Sequence, residues 1–196
     1  MKRALAGMCA TLPDENADLC PYCSLDQNPD LDHVLPKAVF PEFALYAPNL
    51  VPICTVCNRK KLNVVRSAGD RVLLNPAFEP SVDEPIVEAQ VAYRGGQVVV
   101  TYRLDDHGQL PVEERGVARR HFARLGLAGR YRKRAHGYLA ALKTNLRNRS
   151  GEVREAALRT KLEGAALFAP LNGWEPALFR AIEDDVPAML TWLTPR

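Results

Sequence analysis

Two pairs of cysteines, Cys20-Pro21-Tyr22-Cys23 and Cys54-Thr55-Val56-Cys57, stand with thirty residues between them. A C-x-x-C turn brings two sulfurs to one side and aims backbone N–H groups at them. Two such turns supply the four thiolates of a tetrahedral Zn²⁺ shell. Four thiolates leave no open position for water or substrate, so the expected ion is structural, folding the intervening loop and fixing its ends. Any catalysis in this region therefore has to lie between the pairs. The alternatives are two disulfides or a redox motif. Against them, no βαβ pattern surrounds the pairs, and the opening Met1-Lys2-Arg3 with its short apolar stretch runs into Pro13-Asp14-Glu15. It is read as the start of a mature, cytoplasmic chain rather than a secretory signal. Cys9 has no partner motif and is expected to be a packed or surface thiol.

Between the pairs lie Leu31-Asp32-His33-Val34-Leu35-Pro36-Lys37 and Asn49-Leu50-Val51-Pro52-Ile53, and after Cys57 comes Asn58-Arg59-Lys60-Lys61. In order and spacing these D-H-x-x-P, N-L-x-x-x-C and C-x-x-C-N-x-x-K elements resemble the HNH, or ββα-metal, nuclease family in its zinc-bearing form. The resemblance covers about residues 19 to 63. It implies two strands and a helix around one metal ion and, as a substrate, DNA. Phosphodiester hydrolysis needs a base to deprotonate water, a cation to stabilise charge on the phosphate and leaving oxygen, and donors to hold the phosphate. His33 is the one imidazole of the segment and suits the base. Asp32 and Asn58 offer oxygen ligands suited to a hard cation, Mg²⁺ or Mn²⁺. The family likeness further implies that Asn49 braces the loop and orients the base. Where the family often has a final histidine this chain has Asn58, which shifts the expectation towards Mg²⁺. Lys60 and Lys61 follow on the same helix and are candidate phosphate contacts, ordinary solvation being the alternative.

Composition sets the frame for these residues. At 196 residues, 47% hydrophobic and 25% charged, the chain is typical of a globular protein, and no apolar run approaches the roughly 18 residues that cross a bilayer. The net charge of +3 conceals a segregation: Arg115 to Gly151 holds eleven Lys or Arg and no Asp or Glu, which leaves 15 basic and 23 acidic residues, a balance of −8, elsewhere. Charge of one sign confined to one stretch is what a docking surface for phosphates requires, or else a solvated helix face or a surface for an acidic protein. Arg130 with Arg134, and Lys143 with Arg147, are one helical turn apart and are candidate nucleic-acid contacts. No base-reading motif is present, so backbone contact is the expectation.

The elements that must position these residues follow from patterning. The fold class is α+β: a zinc-stabilised ββα core over 1–63, a connector and β-hairpin over 64–110, and a mainly helical region over 111–196 that is basic in its first half. Ile86 to Tyr93 and Val98 to Leu104, rich in β-branched and aromatic residues, read as strands joined through Arg94-Gly95-Gly96-Gln97 in a hairpin. Ala118, Phe122 and Leu125 give one helical face, and Tyr131, Ala135, Tyr138, Leu139, Leu142 and Leu146 a longer one, with a break near Gly126 to Gly129. Ser150 is placed to cap a third helix ending near Phe168, and Pro170 to Gly173 separates it from a last one over Glu175 to Leu193.

Three functions remain open: a one-metal DNA endonuclease, a zinc-stabilised nucleic-acid-binding module with an inert centre, and an interaction subunit whose arginines face protein. The arrangement also bears a diffuse similarity to small stand-alone HNH proteins of bacterial anti-phage systems, which implies a regulatory partner such as an ATPase.

Overall fold

The computed structural model describes residues 18–75, 85–104, 112–168 and 171–195. The opening segment with Cys9, the Glu79-Pro80-Ser81 turn and Pro170 lie outside them. Among the described residues, six α-helices are combined with three two-stranded antiparallel sheets. The chain divides into two compact units that do not follow chain order: Met1–Asp83 with Asp106–Leu127, and Glu84–Asp105 with Ala128–Arg196. The hairpin thus groups with the later helices, and the first helix after it with the cysteines.

In the first unit, strands β1 (Asp30–His33) and β2 (Leu50–Ile53) pair antiparallel, with Asp32 opposite Val51 and His33 opposite Leu50, and helix α1 (Thr55–Lys61) follows at once. Val51 and Ile53 alternate into the core on β2, as the period of a half-buried strand requires. The connector is not wholly irregular: β3 (Arg66–Ser67) and β4 (Asp70–Arg71) form a small ladder through Ala68 and Gly69, both at positive φ. Helix α2 (Val112–Arg124) buries Val117, Ala118 and His121, and Leu125 just past its end is buried too. Gly126, at φ +62°, ends it in the left-handed conformation that glycine adopts without steric cost.

The second unit pairs β5 (Val87–Arg94) with β6 (Gln97–Leu104) through Gly95 and Gly96, whose φ values of 57° and 80° make the two-residue turn that matches strand twist. Val100 and Tyr102 point inward, and Tyr102 Oη donates to the Trp174 carbonyl at 2.9 Å. Helix α3 (Leu127–Leu146) buries Tyr131, Ala135, Leu139, Leu142 and Leu146, the face its periodicity marks out. It starts one residue after Gly126, so Gly129 lies inside the helix rather than at the break. Helix α4 (Gly151–Phe168) begins at Ser150, whose hydroxyl accepts from Val153 N–H at 3.4 Å. The expected last helix is two, α5 (Trp174–Glu183) and α6 (Val186–Leu193). Asp185 caps α6 through Ala188 N–H at 3.0 Å, and Pro187 in the first turn fits a helix start where it would break a helix interior. α5 lies against both β5 and α4.

Candidate functional site

Each cysteine pair sits on its own local device. Around the first, the backbone turns tightly: Cys23 N–H and Ser24 N–H both donate to the Cys20 carbonyl, at 3.1 and 2.8 Å, with Ser24 at φ +49°. Asn28 ties the base of this knuckle by donating from Nδ2 to the Leu19 carbonyl at 2.9 Å. Around the second, Cys54 is the N-cap of α1 and its sulfur accepts from Cys57 N–H at 3.4 Å. None of these four cysteines is in a disulfide, all are buried, and their sulfurs lie within 4.8 Å of one another.

Whether a metal fits can be judged from sulfur spacing. Zn–S bonds of about 2.3 Å in a tetrahedron put the sulfurs roughly 3.8 Å apart, and Cys23 Sγ to Cys54 Sγ is 3.8 Å. The thiols also polarise one another. Cys54, accepting from Cys20, Cys23 and Cys57, is held well below the ordinary thiol range, while sharing hydrogens with Cys23, Cys54 and Cys57 pushes Cys20 far above it. A cluster that already favours a thiolate and carries displaceable protons is what a thiophilic dication replaces on binding. The four cysteines therefore form a site able to hold a metal ion, and they are the one such group of His, Cys, Asp or Glu among the described residues.

His33 lies at the end of β1, half-buried, with Nε2 3.0 Å from the Ala44 carbonyl. A carbonyl only accepts, so Nε2 carries the ring proton and Nδ1 holds the lone pair. Asn49 fixes the loop that presents this carbonyl. Its side chain, 3% exposed, accepts from Leu35 N–H at 2.7 Å and donates to the Leu35 and Phe43 carbonyls, each at 3.0 Å. A catalytic candidate beside His33 in the sequence, Asn49 has both its amide hydrogens and its oxygen engaged with backbone. It is a positioning residue, holding the carbonyl next to the one that orients His33.

Asp32 and Lys61 depart from expectation. Lys61 is not a phosphate-facing surface lysine: its side chain is 2% exposed, and Nζ sits 2.9 Å from Asp32 Oδ2 and 2.8 Å from the His33 carbonyl. The cause is helical phase, because Lys61 follows the buried Cys57 by one turn and shares its inward face. Asp32, expected to bind metal, already faces a cation, although the ammonium lies off the line of a hydrogen bond and Oδ2 accepts none among the described residues. Asp32 thus turns towards α1 and His33 towards the loop. Asn58, half-exposed on α1, makes no side-chain hydrogen bond among the described residues. Lys60 is exposed, with its ammonium so near the end of α2 that a Cβ on Gly126 would lie 3.3 Å from it.

The basic stretch is shared between the two units. In the first, Arg120 bonds the Arg71 carbonyl at 2.6 Å and Asp70 at 3.1 Å, so part of the charge is used within the chain. In the second, Arg134 and Arg147 are exposed and Arg130 half-buried, but Lys143 is not a plain surface cation: its ammonium lies 4.2 Å from the centre of the Trp192 ring.

The site residue that patterning missed is His121. It is fully buried, donates from Nε2 to the Tyr22 carbonyl at 2.8 Å, accepts at Nδ1 from Leu74 N–H at 3.2 Å, and stacks on the Tyr22 ring. Burial lowers its pKa to about 4. Its place between Ala118 and Leu125 on the apolar face of α2 was the available signal.

The chain is 29% identical over 135 residues to protein Ea31 of Escherichia phage lambda. The match covers 66% of this chain and 45% of the phage protein, so the chain spans less than half of that relative's length. No protein-family model and no solved structure matches it. None of the described helices is long and apolar enough to cross a membrane.

Proposed function

We propose that the protein is a metal-dependent endonuclease of HNH type that hydrolyses phosphodiester bonds of DNA, with a structural Zn²⁺ on Cys20, Cys23, Cys54 and Cys57. The observation that carries this reading is the state of His33: its Nε2 proton is committed to the Ala44 carbonyl, which leaves Nδ1 as a fixed lone pair on a half-buried imidazole. Nδ1 takes the proton from a water molecule, and the resulting hydroxide attacks phosphorus as the leaving oxygen departs. Asn49 keeps the Phe43–Ala44 stretch in place so that the ring does not swing away. Asp32 and Asn58 would hold a hard dication, Mg²⁺ or Mn²⁺, which supplies charge stabilisation at the phosphate and leaving oxygen. The buried carboxylate oxygen with no hydrogen-bond donor and the uncommitted Asn58 amide fit such an ion. Arg134 and Arg147 on α3 and beyond it hold the DNA backbone, which makes binding salt-sensitive. A phage-encoded relative gives no support to a role in defence against phage.

Incubating supercoiled plasmid with purified protein and Mg²⁺ or Mn²⁺ tests the reading. Wild type nicks, a chelator stops it, and His33→Ala lowers the rate by about 10²-fold or more. Equal nicking by the two proteins sinks the assignment. One observation favours a second reading, an inert zinc-stabilised DNA-binding module: the carboxylate of Asp32 already holds Lys61. Salt-sensitive DNA binding with no cleavage across several divalent metals would establish that reading instead.

A further inference from the structure

We propose that Lys61 is the resident counter-ion of Asp32, a tethered cation that a divalent ion must displace to reach the carboxylate. The inference rests on the reading of Asp32 as a ligand, but its claim is about the lysine. Lys61 lies under α1 with three oxygens around its ammonium: Asp32 Oδ2 at 2.9 Å, the His33 carbonyl at 2.8 Å and the Leu62 carbonyl at 3.4 Å. Two of the three are hydrogen-bond acceptors, the backbone carbonyls, and the carboxylate holds the ammonium by charge alone, its Oδ2 accepting no hydrogen bond. The chain accepts strain to build the cage. Leu62, just past the helix, sits at φ +53°, a conformation an L side chain rarely adopts, and its carbonyl is one of the three.

The electrostatics make the two cations exclusive. Asp32's side chain is 13% exposed, and no other Lys or Arg pairs with it among the described residues. A carboxylate so placed is costly without a partner, and the ammonium removes that cost in the metal-free protein. A hard dication bonds a carboxylate oxygen at about 2.1 Å. With Nζ 2.9 Å from the same oxygen, two positive charges would meet at close range in a poorly screened site. The lysine stem is flexible, and two backbone carbonyls remain to receive the ammonium when it leaves the carboxylate. Exchange thus needs a side-chain movement and no refolding. The site is kept assembled and discharged until a divalent ion, at sufficient concentration, takes over the carboxylate.

Mn²⁺ binding to the zinc-loaded full chain, read from the electron paramagnetic resonance of free Mn²⁺, tests this without DNA. Lys61→Met keeps most of the stem and removes the charge. It should bind Mn²⁺ about tenfold more tightly than wild type, an ordinary size for coupling between two ligands. Adding Asp32→Asn should abolish the gain. Equal or weaker binding by Lys61→Met, a gain that survives Asp32→Asn, or no Mn²⁺ binding by either protein overturns the proposal. If Lys61→Met does not fold, the wild type suffices. Its Lys61 ¹⁵Nζ resonance, identified by its loss in Lys61→Arg, should shift as Mg²⁺ saturates the site, and an unmoved resonance at saturation overturns the proposal. A protein that exchanges Lys61 for Mn²⁺ yet never nicks plasmid keeps this inference and loses the nuclease reading.

Discussion

The two units solve the problem of holding a chain together by different means. In the first, apart from the thirteen-residue α2, the elements are strands of two or four residues and a seven-residue helix, which leave many backbone groups outside regular ladders. Single side chains meet the need: Asn49 for the loop between the strands, Lys61 under the helix, His121 between the knuckle and the connector, and four sulfurs at the centre. In the second, eight-residue strands and helices of 18 and 20 residues satisfy their own backbones. Its core is mainly apolar, with Val100, Leu139, Leu158, Leu178, Ile182, Met189 and Leu193 at or near zero exposure and Arg154 its buried charge among the described residues. A unit built on a few polar pins is sensitive to each pin, whereas one built on area loses stability in small steps.

Metal removal is the sharpest way to test that contrast. Structural Zn²⁺ in small modules contributes an apparent ~10–16 kcal/mol near pH 7, far more than β1, β2 and α1 can supply by themselves. Stripping the zinc-loaded protein with a chelator, or Cys20→Ser with Cys54→Ser, should abolish amide exchange protection over β1, β2 and α1. Protection in β5, β6 and α3 should persist, because their hydrogen bonds draw on nothing in the cluster. Loss of protection in both units together, or in neither, would break the comparison.

The same contrast explains what was legible in sequence. Residue types and spacing marked the four cysteines, which the fold brings together, and the family resemblance implied the brace that Asn49 makes of its loop. Periodicity marked the hairpin and the faces of α3, since repeated burial leaves a repeated signal. What was not legible depends on direction. Lys61 reads as surface charge in a run of Arg59-Lys60-Lys61, and only the phase set by Cys57 turns it inward. Lys143 reads as a phosphate contact, yet Trp192, forty-nine residues later in the chain, lies beneath it. The α5–α6 break has a local signal in Asp185-Val186-Pro187, a capping side chain followed by a first-turn proline, which the expectation of a single helix over Glu175 to Leu193 did not use.

A second pin, His121, sets a smaller and pH-dependent effect. Its pKa falls from the ordinary 6.5 to about 4, chiefly through burial. The folded unit therefore favours the neutral ring, and the unfolded chain binds more protons between those values. His121's contribution is complete above about pH 6.5 and is lost as pH falls towards 4, by about 3 kcal/mol at most. Urea unfolding of the zinc-loaded protein at pH 7 and pH 5 measures it, with His121→Gln beside wild type. Glutamine keeps one donor and one acceptor but does not titrate. Acid also protonates the thiolates in both proteins, so the difference between their pH slopes isolates the histidine. Parallel slopes would remove His121 from the set of pins.

Lys143 gives the smallest expected effect and separates two uses of positive charge in the second unit. Its ammonium over the Trp192 ring is a cation–π contact, worth about 0.5–1 kcal/mol where solvent is near. Trp192 is also held by its indole N–H on the Gly96 carbonyl at 3.1 Å, so the ring does not depend on the lysine for its place. Lys143→Met should therefore lower stability within that range and leave DNA affinity unchanged. Arg147→Met, at an exposed position on the proposed DNA surface, should do the reverse: stability holds, and the slope of log affinity against log salt falls by about one. If Lys143→Met weakens DNA binding as much as Arg147→Met does, the lysine leaves the ring for phosphate, and the charge read from sequence outweighs the contact seen in the fold.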